Sequence, residues 1–305
     1  MTTAQAPQTA QTPPRAQAPT PARRRARAGR GIGARSAVAG KYLSLVVASA
    51  ATLLPLAVVL MAALKTEPES ANNGPLSLPH DWLNLQNFQI AFTQGHMLRA
   101  FGNTAFILVF SVTGTVLIGS MTAYAIDRFR FPFRRLTISL FLLAALVPGV
   151  TTQVATFQII NSFGLFNNRW SAIALYTGTD IVSIIIFRQF MRAIPVSLDE
   201  AARIDGASPL RIYRTVILPL LRPAIATVVI VKGVVIYNDF YIPFLYMPSP
   251  DLGVVSTSLF YFKGPYGAHW EIICAGAVLV IIPTLVVFLF LQRFIYNGFT
   301  RGATK

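Results

Sequence analysis

Long apolar stretches recur along the chain at spacings that leave only short polar segments between them. A bilayer core of about 30 Å is crossed by roughly 20 apolar residues in a helix, and six stretches meet that requirement: about 42–64, 103–126, 136–160, 170–190, 223–247 and 272–296. The third contains Pro148-Gly149, and the fifth starts at Pro223, a favoured first-turn residue. An all-α polytopic membrane protein with six transmembrane helices is therefore expected. Residues 1–40 break this pattern, being Ala, Pro, Gln, Thr and Arg with almost no large apolar side chain. Such a segment buries too little surface to offset chain entropy, so it is expected to be a disordered basic cytoplasmic tail ahead of a six-span domain at 41–305. Its Arg-rich, acid-free composition fits either an anchor for anionic headgroups or an organelle transit peptide.

Composition agrees with the membrane assignment. Hydrophobic residues make up 54% of the chain, charged residues 12%, and the mean hydropathy is +0.56, whereas soluble domains average about 25% charged residues. The single cysteine, Cys274, excludes a disulfide framework or a cysteine-based metal cluster. A formal charge of +15 would fit nucleic acid if the basic residues formed one surface, but they follow topology instead. With the N-terminus inside, 8 Lys and Arg fall in 1–41, 4 in 127–135, 6 in 188–222 and 3 in 293–305, against 4 on the outside and Lys232 within a span. Basic residues are retained on the cytoplasmic side, so both termini and the 188–222 loop are expected there. No nucleic-acid partner is implied.

That loop carries the most distinctive chemistry. Asp199, Glu200, Arg203, Asp205, Arg211 and Arg214 cluster in 195–221 and could not lie in lipid. Ser197, with Glu200 three residues on, is placed to cap a short helix starting near Leu198. Gly206-Ala207-Ser208 breaks it, and Ser208-Pro209 starts a second. Two short amphipathic helices are predicted, either resting on the membrane or meeting a partner.

Polar groups within the spans are costly and so invite explanation. Asp180 and Lys232 each lie near mid-membrane and are placed either to pair structurally, fixing helix register, or to line a cavity. Tyr237, Asn238 and Asp239 are candidates to present hydroxyl-binding groups in a cavity. Thr113, Gly114, Gly119 and Ser120 read as close helix packing. The outer segment 248–270 is rich in Pro, Gly and aromatics; Tyr261, Phe262, Tyr266 and Trp270 suit stacking on the C–H faces of a ligand or, for Trp270 above all, anchoring at the membrane edge. His80, His96 and His269 show no metal-ligand spacing.

Glu200-Ala201-Ala202-x(3)-Gly206-x(9)-Val216-x-Leu218-Pro219 resembles the signature loop of inner-membrane permease subunits of ATP-binding-cassette importers. Further segments, Ala123-Tyr124-Ala125, Arg128-Phe129-Arg130-Phe131, Pro148-Gly149, Phe187-Arg188-Gln189-Phe190, Tyr237-Asn238-Asp239-Phe240 and Asn297-Gly298-Phe299-Thr300, are similar to the second permease of maltose-type carbohydrate importers. Relatives commonly have Trp at the position of Tyr237, and Ile at that of Val216. The resemblance covers nearly all of 41–305. It implies the ABC importer permease fold in a bacterial or archaeal cell membrane and a transport subunit rather than an enzyme. It implies that Glu200, Ala201, Ala202, Asp205, Gly206, Leu218 and Pro219 dock on an ATPase, and that Tyr261, Phe262 and Tyr266 meet a binding protein. The expected partners are a homologous permease in a heterodimer, two ATP-binding-cassette ATPases, an extracytoplasmic sugar-binding protein and the lipid bilayer. No cofactor is expected on this chain; it has no phosphate-binding G-x(4)-G-K-[ST] motif, so ATP and Mg belong to the partner ATPase. An importer of glycerol phosphate or a polyol is the nearest alternative. An ion-coupled secondary transporter is a more distant one, which would have inverted repeats and no docking loop.

Overall fold

The computed structural model describes residues 30–303 apart from 179 and 265–266; side chains of 30–37, 39 and 291–303 are also outside the description. The chain divides into two compact units, Met1–Pro55 and Leu56–Lys305. Of the expected tail, residues 1–29 lie outside the described residues, and the first helix, α1, already starts at Arg30 and runs to Leu64. It is followed by α2 (Glu67–Asn72), α3 (Gln86–Gln94), α4 (Met97–Arg128), α5 (Arg134–Leu146), α6 (Gln153–Ser162), α7 (Arg169–Gly178) and α8 (Ile181–Met191). Then come α9 (Ser197–Ile204), α10 (Pro209–Ile212), a π turn (Tyr213–Ile217), α11 (Leu218–Leu220), α12 (Arg222–Asn238), α13 (Tyr241–Tyr246), α14 (Val255–Ser258) and α15 (Trp270–Ala303). Two-residue strands, Lys263–Gly264 and Gly267–Ala268, form an antiparallel pair with Lys263 opposite Ala268.

Among the described residues three stretches are long and apolar enough to cross a bilayer, Gly40–Leu64, Met97–Arg128 and Trp270–Phe290, and the count reaches five if the bent pairs α7–α8 and α10–α12 are each one span. The remaining stretch, 136–160, is divided into α5 and α6 rather than being one helix. Pro148 supplies the reason: its ring disfavours helical backbone at the preceding residue, and Val147 accordingly adopts ψ 116° and ends α5. The stretch 223–247 is likewise interrupted, because α12 ends at Asn238.

Helices α7, α8 and α12 pack on α4. One face of α4 places Ala100, Thr104, Ile107, Ser111 and Thr115 at steps of three and four residues, all buried, and towards the end of the helix Gly119, Ser120 and Ala123 are buried as well. Small residues let neighbours approach closely. A Cβ on Gly114 would come within 2.8 Å of the Thr177 side chain, and one on Gly119 within 3.2 Å of the Phe187 ring. Gly114, Gly119 and Ser120 thus pack as expected, whereas Thr113 is exposed. At one end of the bundle Phe187, Met191, Ile212, Ile217, Leu221 and Ala224 form a fully buried core with Ala123 and Tyr124 of α4. A second core joins Ile107 and Val112 to Ala172, Ile173 and Tyr176 of α7 and Ile236 of α12.

Where helices end, side chains satisfy the orphan carbonyls that water cannot reach. The Asn87 amide donates to Ala63 O at 2.8 Å and Lys65 O at 2.7 Å, and Asn84 donates to Leu64 O at 3.2 Å. Lys65, itself buried, donates to Gly74 O at 3.0 Å and Ser77 Oγ at 2.8 Å. The Thr66 N–H, donating at 2.7 Å, holds the Glu69 carboxyl below its ordinary pKa.

Helices α8 and α12 are joined by an ion pair, Lys232 Nζ to Asp180 Oδ1 at 3.5 Å, with both side chains largely buried. Asp180 also accepts from Ser183 Oγ. Removing either charge strands the other, so Lys232→Met or Asp180→Leu alone should cost about 3–5 kcal/mol, and the double change much less. Thermal unfolding of the four proteins in detergent measures the cycle, and simple additivity would mean the pair makes no net contribution.

Candidate functional site

The charged loop is built from backbone constraints. Pro195 stops α8 from continuing, and α9 starts on the carbonyls of Pro195 and Val196, which accept from Leu198, Asp199 and Glu200 N–H at 3.3, 3.0 and 3.1 Å. Ser197 is therefore the first helical residue and not the cap expected of it; Val196 holds the cap position. Asp199 and Glu200 fall in the first turn, where negative charge is favoured by the helix dipole.

The other end of α9 is closed by Gly206, at φ +77°. Its N–H donates to Arg203 O and that of Ala207 to Ala202 O, each at 3.0 Å. This paired closure is a Schellman motif and needs a left-handed residue at the glycine position. Nothing lies within 4 Å of a Cβ built there, so the requirement is conformational and not one of space. Ser208 then caps α10 as expected, its Oγ accepting from Arg211 N–H at 3.4 Å, with Pro209 in the first turn.

Beyond α10 the ladder widens into the π turn, which the N–H of Leu218 closes on Tyr213 O. Pro219 follows at once and has no N–H to donate, so the slip in the ladder coincides with the residue that could not continue it. Leu218 and Pro219 thereby lead into a 74° bend between this segment and α12. The Tyr213 hydroxyl lies 2.7 Å from Ser120 Oγ of α4, and Ile212, Ile217 and Leu221 are fully buried.

Seated in this way, the loop presents Glu200, Ala201, Asp205 and Gly206 as exposed residues, with Ala202 half-buried beneath them. Beside Gly206 a cavity of about 680 Å³ is lined by Arg128, Arg130 and Arg203 among others. The charged group least visible from sequence is Asp199, buried against Arg128: Arg128 Nε lies 3.0 Å from Asp199 Oδ2.

The membrane polar groups are spread over several partners. Asp239 Oδ1 accepts from Tyr241 N–H at 2.8 Å and Ile242 N–H at 3.3 Å, which starts α13, and its Oδ2 accepts from the Tyr176 hydroxyl at 2.9 Å. Tyr176 was not singled out in the sequence. The Tyr237 hydroxyl donates to Val280 O of α15 at 2.8 Å, and the Asn238 amide to Val234 O at 2.9 Å. Of the aromatics near the strand pair, Tyr261 and Trp270 are exposed, Phe262 is buried, and Tyr266 lies outside the described residues. Among the described residues no cluster of His, Cys, Asp and Glu could hold a metal ion.

Comparison with known proteins places this arrangement. The profile of the family described as "Binding-protein-dependent transport system inner membrane component" matches residues 31–301. The arabinooligosaccharides transport system permease protein AraQ of Halalkalibacterium halodurans is 30% identical over 255 residues, 83% of this chain and 91% of that one. The probable starch degradation products transport system permease protein AmyC of Thermoanaerobacterium thermosulfurigenes is 32% identical over 263 residues, 85% and 94% of the two chains. A chain of the crystal structure of a bacterial ABC transporter involved in the import of the acidic polysaccharide alginate has the same fold, with a TM-score of 0.73 at 20% identity over 88% of this chain and 98% of that one. The chain belongs to the family of binding-protein-dependent transport system inner membrane components and is the permease subunit of such a system.

Proposed function

We propose that this permease imports a carbohydrate, working as a heterodimer with a homologous permease, two ATPase subunits and an extracytoplasmic sugar-binding protein. The carbohydrate class is supported by relatives named for arabino-oligosaccharides and starch degradation products. The observation that carries the coupling role is the loop's construction: Glu200, Ala201 and Gly206 are exposed on a segment whose other half is buried against α4 and α8. A surface so exposed and so firmly backed suits docking on an ATPase. Small Ala side chains permit close approach, and Glu200 offers a charge for a basic group of the partner. ATP and Mg act on that partner; closure of the two ATPases pulls on the loop and moves the helices that back it. The membrane-embedded Lys232, Asp180, Tyr237, Asn238 and Asp239 lie beside the pathway, and the exposed Tyr261 meets the binding protein.

Two experiments test this reading. With the N-terminus and the loop cytoplasmic, Leu83→Cys, on a side chain 83% exposed, should react with an impermeant maleimide on intact cells. Ile204→Cys, 86% exposed, should react only after permeabilisation. The reverse pattern inverts the topology.

Glu200→Lys should weaken ATPase association by about 2–5 kcal/mol if a desolvated charge contact is lost. Gly206→Val forces a β-branched residue into left-handed backbone at a cost of about 1–3 kcal/mol. Both should leave the spans inserted but abolish ATP-driven uptake of the sugar retained by the binding protein, measured in liposomes with ATPase stoichiometry. Wild-type stoichiometry and uptake in both variants would remove the loop from the coupling role.

A further inference from the structure

The two halves of the loop are held in different ways. The second half is packed by apolar contact, with Ile212, Ile217 and Leu221 all fully buried. Helix α9, which carries Glu200 and Ala201, has a single buried residue, and it is Asp199. Its side chain is 2% exposed and faces Arg128, 5% exposed, at the last turn of α4.

Arg128 spends its three nitrogens on three different elements. Nε lies 3.0 Å from Asp199 Oδ2 on α9, Nη1 donates to Asp127 Oδ2 at 3.1 Å, and Nη2 donates to Ile194 O at 2.8 Å in the link between α8 and α9. Asp127 is in turn 3.9 Å from Arg134 of α5. The Nε contact is an ion pair without an aligned hydrogen bond. Charge attraction depends on separation more than on angle and is strong where water is excluded, so such a pair resists being pulled apart while tolerating tilt.

We infer that the Arg128–Asp199 ion pair is the joint through which α9 moves α4, making both positioning residues for transport. The inference rests on the docking role proposed above for the loop. On α9 the one apolar side chain packed against the core is the single methyl of half-buried Ala202; the charge pair, fully buried, connects force applied at Glu200 and Ala201 to the 32-residue helix on which α7, α8 and α12 pack.

Because Arg128 keeps Asp127 and the Ile194 carbonyl when Asp199 is neutralised, Asp199→Asn should strand no cation and should assemble. Asp199→Ala, which leaves no polar group in the site, serves as a second variant. In the complete transporter in nanodiscs, with Cys274→Ala, spin labels at Ser197→Cys and Ile118→Cys report the distance from α9 to α4. Both are exposed positions. With Asp199 intact, the distance should be the same without nucleotide and with Mg-ATP plus vanadate. In the Asn and Ala variants it should shift when nucleotide is added, while the ATPases remain bound. An unchanged distance in both variants with ATPases bound would overturn the joint, as would failure of both to assemble, which would make the pair a requirement for folding. Absence of bound ATPase when Asp199 is intact would instead remove the docking role of the loop and leave the pair without a load to transmit.

Discussion

Inside a bilayer an unpaired backbone N–H or C=O has no water to turn to, and the architecture of this chain follows from how each helix end meets that constraint. The spans are not simple rods; they stop, bend and restart. At some of these interruptions a side chain takes over: Asn84 and Asn87 close the end of α1, and Asp239 opens α13, while in the exposed loop Gly206 closes α9 with its neighbours' own backbone. Polar residues in apolar surroundings therefore serve the chain before they serve any substrate. Asp239 illustrates the point: one of its oxygens is engaged by backbone and the other by Tyr176.

This changes how intramembrane polarity should be read. A carboxylate near mid-membrane invites a binding hypothesis from sequence, yet Asp180 and Asp239 each have protein partners that account for their burial. Lys232 answers Asp180 across two helices, and the pairing links α8, which runs into the loop, with α12, which leaves it. The loop is thus framed by electrostatic ties on both sides, one within the bundle and one at the end of α4. Its second half is additionally set in an apolar core, while its exposed face is left to small and charged residues.

Much of this was legible in the sequence because it depends on local chemistry. Apolar length found the helices, Gly206-Ala207-Ser208 marked a helix break, Ser208-Pro209 marked a helix start, and the depth of Asp180 and Lys232 offered pairing as one of two readings. What was not legible depends on register or on distant contacts. The stretch 136–160 is apolar enough to span, but Pro148 acts on the backbone of Val147 and splits it. Ser197 has the composition of a cap, yet the turn at Pro195 starts the helix one residue early. The pairing of Asp199 with Arg128 joins positions far apart in the chain, and nothing in either neighbourhood reveals it. Phe262 sits in an aromatic, outwardly placed segment but is buried, its ring lying against Gly95, where an added Cβ would come within 3.2 Å of it.

The π turn between Tyr213 and Ile217 has a consequence for chain length. A helix advances about 100° per residue, and a π turn accommodates one residue more than the α ladder around it. Deleting a single residue there would let the ladder close as ordinary α-helix, erasing the slip that now absorbs Pro219. Everything on the far side would then be rotated by about a quarter turn relative to α9, taking Tyr213 away from Ser120 or Leu221 out of its core. The segment is thus a place where insertion and deletion act as rotation: one residue sets the angular phase between the docking surface and the membrane helix that follows it.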